Sequence, residues 1–193
     1  MKHELRTITT EARAKGDSDN PVVEGLGILY DQWAELWPGY KERINRGAVK
    51  QAPTVKSFFN HDPSRILATT DSTPPLVLEE TDKGLKFTTP IPPTTYGKDL
   101  AVNLERGNVR GSSFAFDVPK GGDKWWEGED GITYREINKL NLYEVGPVTD
   151  PAFVDTTAAL RTARAALEEW QGNRVPVARL IRQRRQKLAE LEI

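Results

Sequence analysis

The alternation of apolar and polar positions predicts a chain built mostly of short strands. Leu5 to Thr10 alternates in part and is rich in threonine, which suits an edge strand. Ala12 to Asn20 reads as a polar connection. Val22 to Tyr30 reads as a buried strand in which Gly25 and Gly27 mark a bend or bulge. Trp33 to Lys50 mixes aromatics with Pro38-Gly39 and predicts a short helix over Lys41 to Arg46, stopped by Gly47. Further strands follow at Val55 to Phe59, Ile66 to Thr70 and Leu76 to Glu80. Leu85 to Thr89 is the return strand of a hairpin turned at Asp82-Lys83-Gly84. Thr94 or Thr95 caps a helix running to about Arg106 and closed by Gly107.

Val109 to Val118 alternates again. Lys124 to Gly131 is an exposed hairpin tip whose Trp125-Trp126 pair packs back on the sheet, and Thr133 to Val148 is two strands or one long bent one. A helix is predicted from Thr157 to Gln171, capped by Asp155 or Thr156 and ended by Gly172. Beyond Val175-Pro176, the residues Val177, Leu180, Ile181, Leu188 and Leu191 fall at helical spacing among Arg179, Arg182, Arg184, Arg185 and Lys187, a basic amphipathic helix. The sum is an α+β chain with a mainly antiparallel sheet or barrel.

Composition narrows the chemistry more than the fold. A length of 193 residues suits one domain with a modest extension, and a formal net charge of -1 gives no general case for nucleic acid. The basic tail is the one feature that would suit nucleic acid or an acidic partner; a helix packed on this domain or on another copy is the plainer reading. No apolar run is long enough to cross a bilayer, and the first residues lack the apolar core of a signal peptide. With no cysteine, there is neither a thiolate nucleophile nor a thiolate zinc site. With two histidines, one of them the terminal His3, there is no His-rich metal site. No Gly-rich phosphate loop is present, since Gly25-x-Gly27 lacks a third glycine and a following helix. No cofactor or metal is expected.

If the chain performs acyl transfer near neutral pH, His61 is therefore the base and a hydroxyl is the nucleophile. Serines at Ser112-Ser113 lie on a strand, where neighbours point to opposite faces. Phe114 and Phe116 share a face with Ser112. If that face is the core, Ser113 looks outward beside the small Ala115, which leaves room for a substrate. Gly111-x-Ser113-x-Ala115 imitates a nucleophile elbow, but strand rather than helix follows it, which excludes an α/β-hydrolase. The group orienting His61 stays open among Asp62, Asp150 and Glu144; Glu144 lies on a strand among apolar neighbours, where a carboxylate needs a partner. Set against this, Asn60-His61-Asp62-Pro63 is also a good turn sequence with a structural role of its own.

One ordered set of motifs goes further: Val23-x-Gly25-x-Gly27, Asn60-His61-Asp62, Gly107-x-x-x-Gly111-Ser112-Ser113-Phe114-x-Phe116, and Leu142-x-Glu144-Val145-x-x-Val148-Thr149-x-Pro151-Ala152. The set resembles the tailed-phage prohead maturation proteases, a family whose barrel is similar to that of herpesvirus assemblins, over roughly Leu5 to Leu160. The chain departs from the family where Met often precedes the catalytic serine (here Ser112), where Gly often stands at Ala115, and where Ser often stands at Gly146.

The resemblance implies a herpesvirus-protease-like, mainly antiparallel β-barrel with surrounding helices over residues 1–160, and a C-terminal helical extension over 161–193. It implies His61 as base, Ser113 as nucleophile and Glu144 as third member. It also implies a serine endopeptidase working in the host cytoplasm inside the immature capsid, on the major capsid protein, on scaffold and on itself. Backbone N–H groups are the default oxyanion donors, with Arg110 or Arg135 as candidate helpers. The tail would then bind scaffold or direct the chain into the capsid. A homodimer is left open. The alternative is a non-catalytic capsid-assembly or scaffold-interaction protein on the same barrel, acting through surfaces such as Trp33 to Trp37 and the tail.

Overall fold

Period-two burial runs through most of the chain, and the strands it produces pair into three sheets. The computed structural model describes residues 3–8, 12–16, 20–149 and 160–173. In chain order the elements are β1 (Glu4–Ile8), β2 (Arg13–Lys15), β3 (Val22–Leu29), β4 (Ala34–Trp37), β5 (Tyr40–Ile44), β6 (Val49–Phe58), β7 (Ile66–Thr69), β8 (Val77–Glu80), β9 (Gly84–Pro90), α1 (Thr95–Glu105), β10 (Gly111–Asp117), β11 (Asp123–Glu127), β12 (Thr133–Ile137) and β13 (Leu140–Val148). A second helix, α2, spans residues 160–173. The predicted start of that helix with its cap, and the whole basic tail, fall outside the described residues.

The first sheet has the order β1-β10-β13-β6-β7, the second β11-β12-β5-β4 and the third β2-β3-β9-β8. Pairing is antiparallel except for the β12–β5 and β13–β6 ladders, which are parallel. The fold is α+β and mainly antiparallel, as expected, but the described sheets are not closed into a barrel. Each keeps two edge strands. The physical reason is that β3 meets the first sheet face to face instead of edge to edge. A Cβ on Gly25 would stand 3.1 Å from Ser112 Oγ, and one on Gly27 would collide with the Val145 side chain. Those two glycines thin the interface so that the sheets stack, and Phe87, Phe114, Phe116, Leu142 and Val145 fill the core between them. The bulge expected there is present, as a register shift between Leu26 and Ile28.

Three local expectations of secondary structure also fail. The helix predicted over Lys41 to Arg46 is instead strand β5, in a β4–β5 hairpin turned at Pro38-Gly39, with Gly39 at φ 89°. Tyr40, Glu42 and Ile44 alternate into the interior and outweigh the local helical look of the charged run. Gly47, at φ 77°, serves the turn into β6 and not a helix stop. Within the supposed polar connection, Arg13–Lys15 forms an edge strand on β3. By contrast, α1 starts and ends as predicted: Thr94 accepts from the Gly97 N–H at 3.2 Å, and Gly107 follows the helix at φ 69°. The β8–β9 hairpin is also as predicted. The hairpin tip predicted at Lys124 to Gly131 is instead largely strand, since Asp123–Glu127 pairs with β12 as β11, and the half-buried Trp125 stacks at 5.4 Å on Trp170 of α2.

Buried charge ties the first and second sheets together. From β5, Glu42 accepts from Arg6 Nε at 2.6 Å, from Arg135 Nη1 at 3.0 Å and from the Tyr40 hydroxyl at 2.9 Å. Arg135, on β12, also donates to both carboxylate oxygens of Glu4 at 2.7 and 2.8 Å and to Asp123 at 2.8 Å. Burial alone would push the Glu42 carboxyl up; the two guanidiniums, with the Arg6 and Tyr40 hydrogen bonds, outweigh it and hold it at about 2. A carboxyl depressed in the fold contributes stability at pH above its ordinary value of 4.5, and that contribution is lost as pH falls toward 2. Glu42→Gln is expected to destabilise by ~1.5–3 kcal/mol at neutral pH, because it removes the charge that accepts from both Arg6 and Arg135 and leaves them only Glu4 and Asp123. The gap to wild type should narrow below pH 4.5 in denaturant melts run across pH.

Candidate active site

β10 lies inside the first sheet, between β1 and β13, and its register fixes what surrounds each serine. Ser113 stands opposite Thr7 on β1 and Gly146 on β13, and Ala115 stands opposite Glu144. Directly opposed residues share a face, so Thr7, Ser113, Gly146, Ala115 and Glu144 form one surface of the sheet. Ser112 projects to the other side, into the interface with Gly25. The parity expected for Ser113 is therefore present, but not its exposure: Ser113 has 0% accessible surface. β1 lies beside it. The Thr7 hydroxyl donates to Ser113 Oγ at 3.3 Å, and Ser113 Oγ lies 2.9 Å from the Arg6 carbonyl oxygen.

His61 comes from the far side of β13. Strand β6 runs parallel to β13 and ends at Phe58. The chain then turns through two residues with left-handed backbone, Asn60 at φ 56° and His61 at φ 57°, before a 3-10 turn at Pro63–Arg65. Asp62 caps that turn, accepting from the Ser64 N–H at 2.9 Å and the Ser64 hydroxyl at 2.6 Å. Those bonds hold its carboxyl below the ordinary range and point it away from the imidazole. The His61 ring instead lies between Glu144 and Ser113. Its Nδ1 is 2.7 Å from Glu144 Oε1 and its Nε2 is 2.6 Å from Ser113 Oγ.

Of the three carboxylates open in the sequence, the structure brings Glu144 to His61, directs Asp62 to Ser64, and leaves Asp150 outside the described residues. The His61 side chain is 27% exposed and Glu144 13%, so the imidazole is the part of the group open to solvent.

An ionised carboxylate can only accept, so the contact with Glu144 places a proton on Nδ1 and leaves the Nε2 lone pair facing the hydroxyl. Ser113 has one proton and two acceptors in reach, His61 Nε2 and the Arg6 carbonyl. When Nε2 is unprotonated it can take that proton; when Nε2 carries hydrogen it donates to Oγ, and the serine proton turns to Arg6. The arrangement can thus activate a hydroxyl nucleophile.

Neither candidate oxyanion helper stands free. Arg110 Nε donates to the Gly107 carbonyl at 2.6 Å, and Arg135 is committed to Glu4, Glu42 and Asp123. A cavity of about 220 Å³ lined by Arg6, Trp33, Leu36, Ile44 and Phe114 opens beside β1. Arg6 and Phe114 oppose each other on the face away from Ser113, and Thr7 also lines the cavity.

Sequence reasoning missed Thr7 and the Arg6 carbonyl, because no local signal tells which strand lies beside β10. Asp62→Ala is expected to lower the melting temperature slightly while leaving the reactivity of Ser113 toward a fluorophosphonate unchanged, since Asp62 contacts the turn and not the imidazole.

A family model for the caudovirus prohead serine proteases matches residues 6–170. Among solved structures, that of the bacteriophage T4 capsid assembly protease, gp21, is similar at 12% identity with a TM-score of 0.44, covering 78% of this chain and 100% of that one. No curated protein sequence matches. The family match takes in nearly all the described strands together with His61, Ser113 and Glu144, and the chain belongs to the caudovirus prohead serine proteases.

Proposed function

We propose that this serine protease cleaves capsid or scaffold protein inside the immature phage head, with Ser113 as nucleophile, His61 as general base and Glu144 as the group that orients the imidazole. The observation that supports the assignment most directly is the unbroken chain of contacts from Glu144 Oε1 through both ring nitrogens to Ser113 Oγ, at 2.7 and 2.6 Å. A hydroxyl is a weak nucleophile until a base within hydrogen-bond reach accepts its proton, and the base works only in the right tautomer.

In the first step Ser113 Oγ bonds to the peptide carbonyl carbon while its proton passes to His61 Nε2, and Glu144 stabilises the imidazolium. As the tetrahedral intermediate collapses, the C–N bond breaks and Nε2 returns the proton to the leaving amine. Water then attacks the acyl-enzyme, giving its proton to Nε2, and Ser113 leaves with that proton as the carboxyl product departs. In this reading the oxyanion donors are main-chain N–H groups.

The test is co-expression with the major capsid protein of the same phage. Wild type and Ser112→Ala are expected to process it; Ser113→Ala and His61→Ala are not. Equal processing by all four would refute the mechanism and favour a non-catalytic assembly role. Loss in Ser112→Ala alone would move the nucleophile. With purified enzyme, Glu144→Gln should lower kcat by roughly two to four orders of magnitude, because an amide can present either end to Nδ1 and no longer stabilises the imidazolium.

A further inference from the structure

The strained turn at Asn60-His61 has a clamp of its own. Asparagine tolerates left-handed backbone, but two such non-glycine residues in succession persist only where the surroundings over-determine them. The determinants lie at one place. Asn60 Nδ2 donates to Thr149 Oγ1 at 2.7 Å, Asn60 Oδ1 accepts from the Thr149 N–H at 2.9 Å, and the Asn60 N–H donates to the Pro147 carbonyl at 3.1 Å. A left-handed asparagine needs none of the side-chain contacts merely to adopt its φ, and the Asn60 side chain is on an exposed residue. What they join is specific: Pro147 lies at the end of β13 and Thr149 directly follows it, and β13 is the strand that carries Glu144 and sets Gly146 opposite Ser113.

We propose that Asn60 is a positioning residue, which through Thr149 pins the turn bearing His61 to the strand bearing Glu144, so that the imidazole stands between Glu144 and Ser113 before substrate arrives. The proposal rests on the assignment of His61 as base. The physical logic is preorganisation. His61 must meet two partners at once, and its own backbone is in a conformation it would leave if released. The latch removes that freedom by fixing the residue just before it to the same strand that supplies one partner directly and aligns the other by pairing.

The test uses the purified full chain and a fluorophosphonate probe, with labelling at Ser113 located by mass spectrometry and resolved into a maximal inactivation rate and a half-saturating probe concentration. Asn60→Ala and Thr149→Val are expected to slow the maximal rate between about ten- and a hundredfold, the scale of a small misplacement of a reacting group, with the half-saturating concentration nearly unchanged. Asn60→Gly, which adopts the left-handed turn readily but lacks the amide, should be slowed as much as Asn60→Ala. Thr149→Ser, which returns the hydroxyl, should recover most of the rate lost in Thr149→Val. The double variant Asn60→Ala/Thr149→Val should be no slower than the slower single one, because both changes break the same latch.

Wild-type rates in Asn60→Ala and Thr149→Val, or a full rate in Asn60→Gly, would overturn the proposal. So would a slowing that merely tracks loss of folded protein in parallel thermal melts. Failure of the underlying assignment looks different: wild type itself would go unlabelled at Ser113, and both readings would fall together.

Discussion

The buried charge cluster of Arg6, Glu42, Arg135 and Glu4 is the constraint on which the arrangement of the sheets depends. It joins β1 of the first sheet to β5 and β12 of the second, with side-chain exposures of 2% at Arg135 and 5% at Glu42. Desolvating such ions is costly, and a well-packed apolar substitute is often as stable. What the cluster supplies is geometry: each carboxylate accepts from a guanidinium whose direction is fixed, so the two sheets meet in one register. Because Arg6 belongs to the strand beside β10, and its carbonyl oxygen lies within hydrogen-bond distance of Ser113 Oγ, the same cluster sets one side of the proposed nucleophile's surroundings.

The site is then assembled by the first sheet alone. β10 presents Ser113, β13 presents Glu144, and the turn after β6 presents His61, so three neighbouring strands deliver the three groups. Rigid strands hold the serine and the carboxylate, and only the histidine arrives on a turn. The left-handed backbone at Asn60 and His61 is concentrated there, at the point where a strand direction has to be abandoned to bring a ring back over the sheet. The side-chain bonds between Asn60 and Thr149 tie that turn to the end of β13.

How much of this is legible in the chain varies with the range of the interaction. Strand β3, helix α1 with its Thr94 cap and Gly107, and the β8–β9 hairpin are set by neighbours within a few residues, and their patterns are readable. The strand at Lys41 to Arg46 is not: Glu42 looks solvated in sequence and is buried because Arg6 and Arg135, distant along the chain, surround it. The strand parity of Ser112 and Ser113 is local and readable, while the contact of Ser113 with Thr7 on β1 depends on a pairing across more than a hundred residues. The open sheets escape a sequence reading for a related cause, since the glycines that read as a bulge also let two sheets stack.

By itself, the sequence determined which chemistry is open to the protein. Without cysteine, and with one histidine away from the terminus, a hydroxyl and His61 were the only pair left for acyl transfer near neutral pH. Tertiary structure decided which carboxylate meets that histidine, which strand lies beside the serine, and how the sheets are joined. Residue type and short spacing carry chemical identity, but the distance between His61 and Glu144, eighty-three residues apart, is a property of strand register, and register is fixed only when the sheets pack.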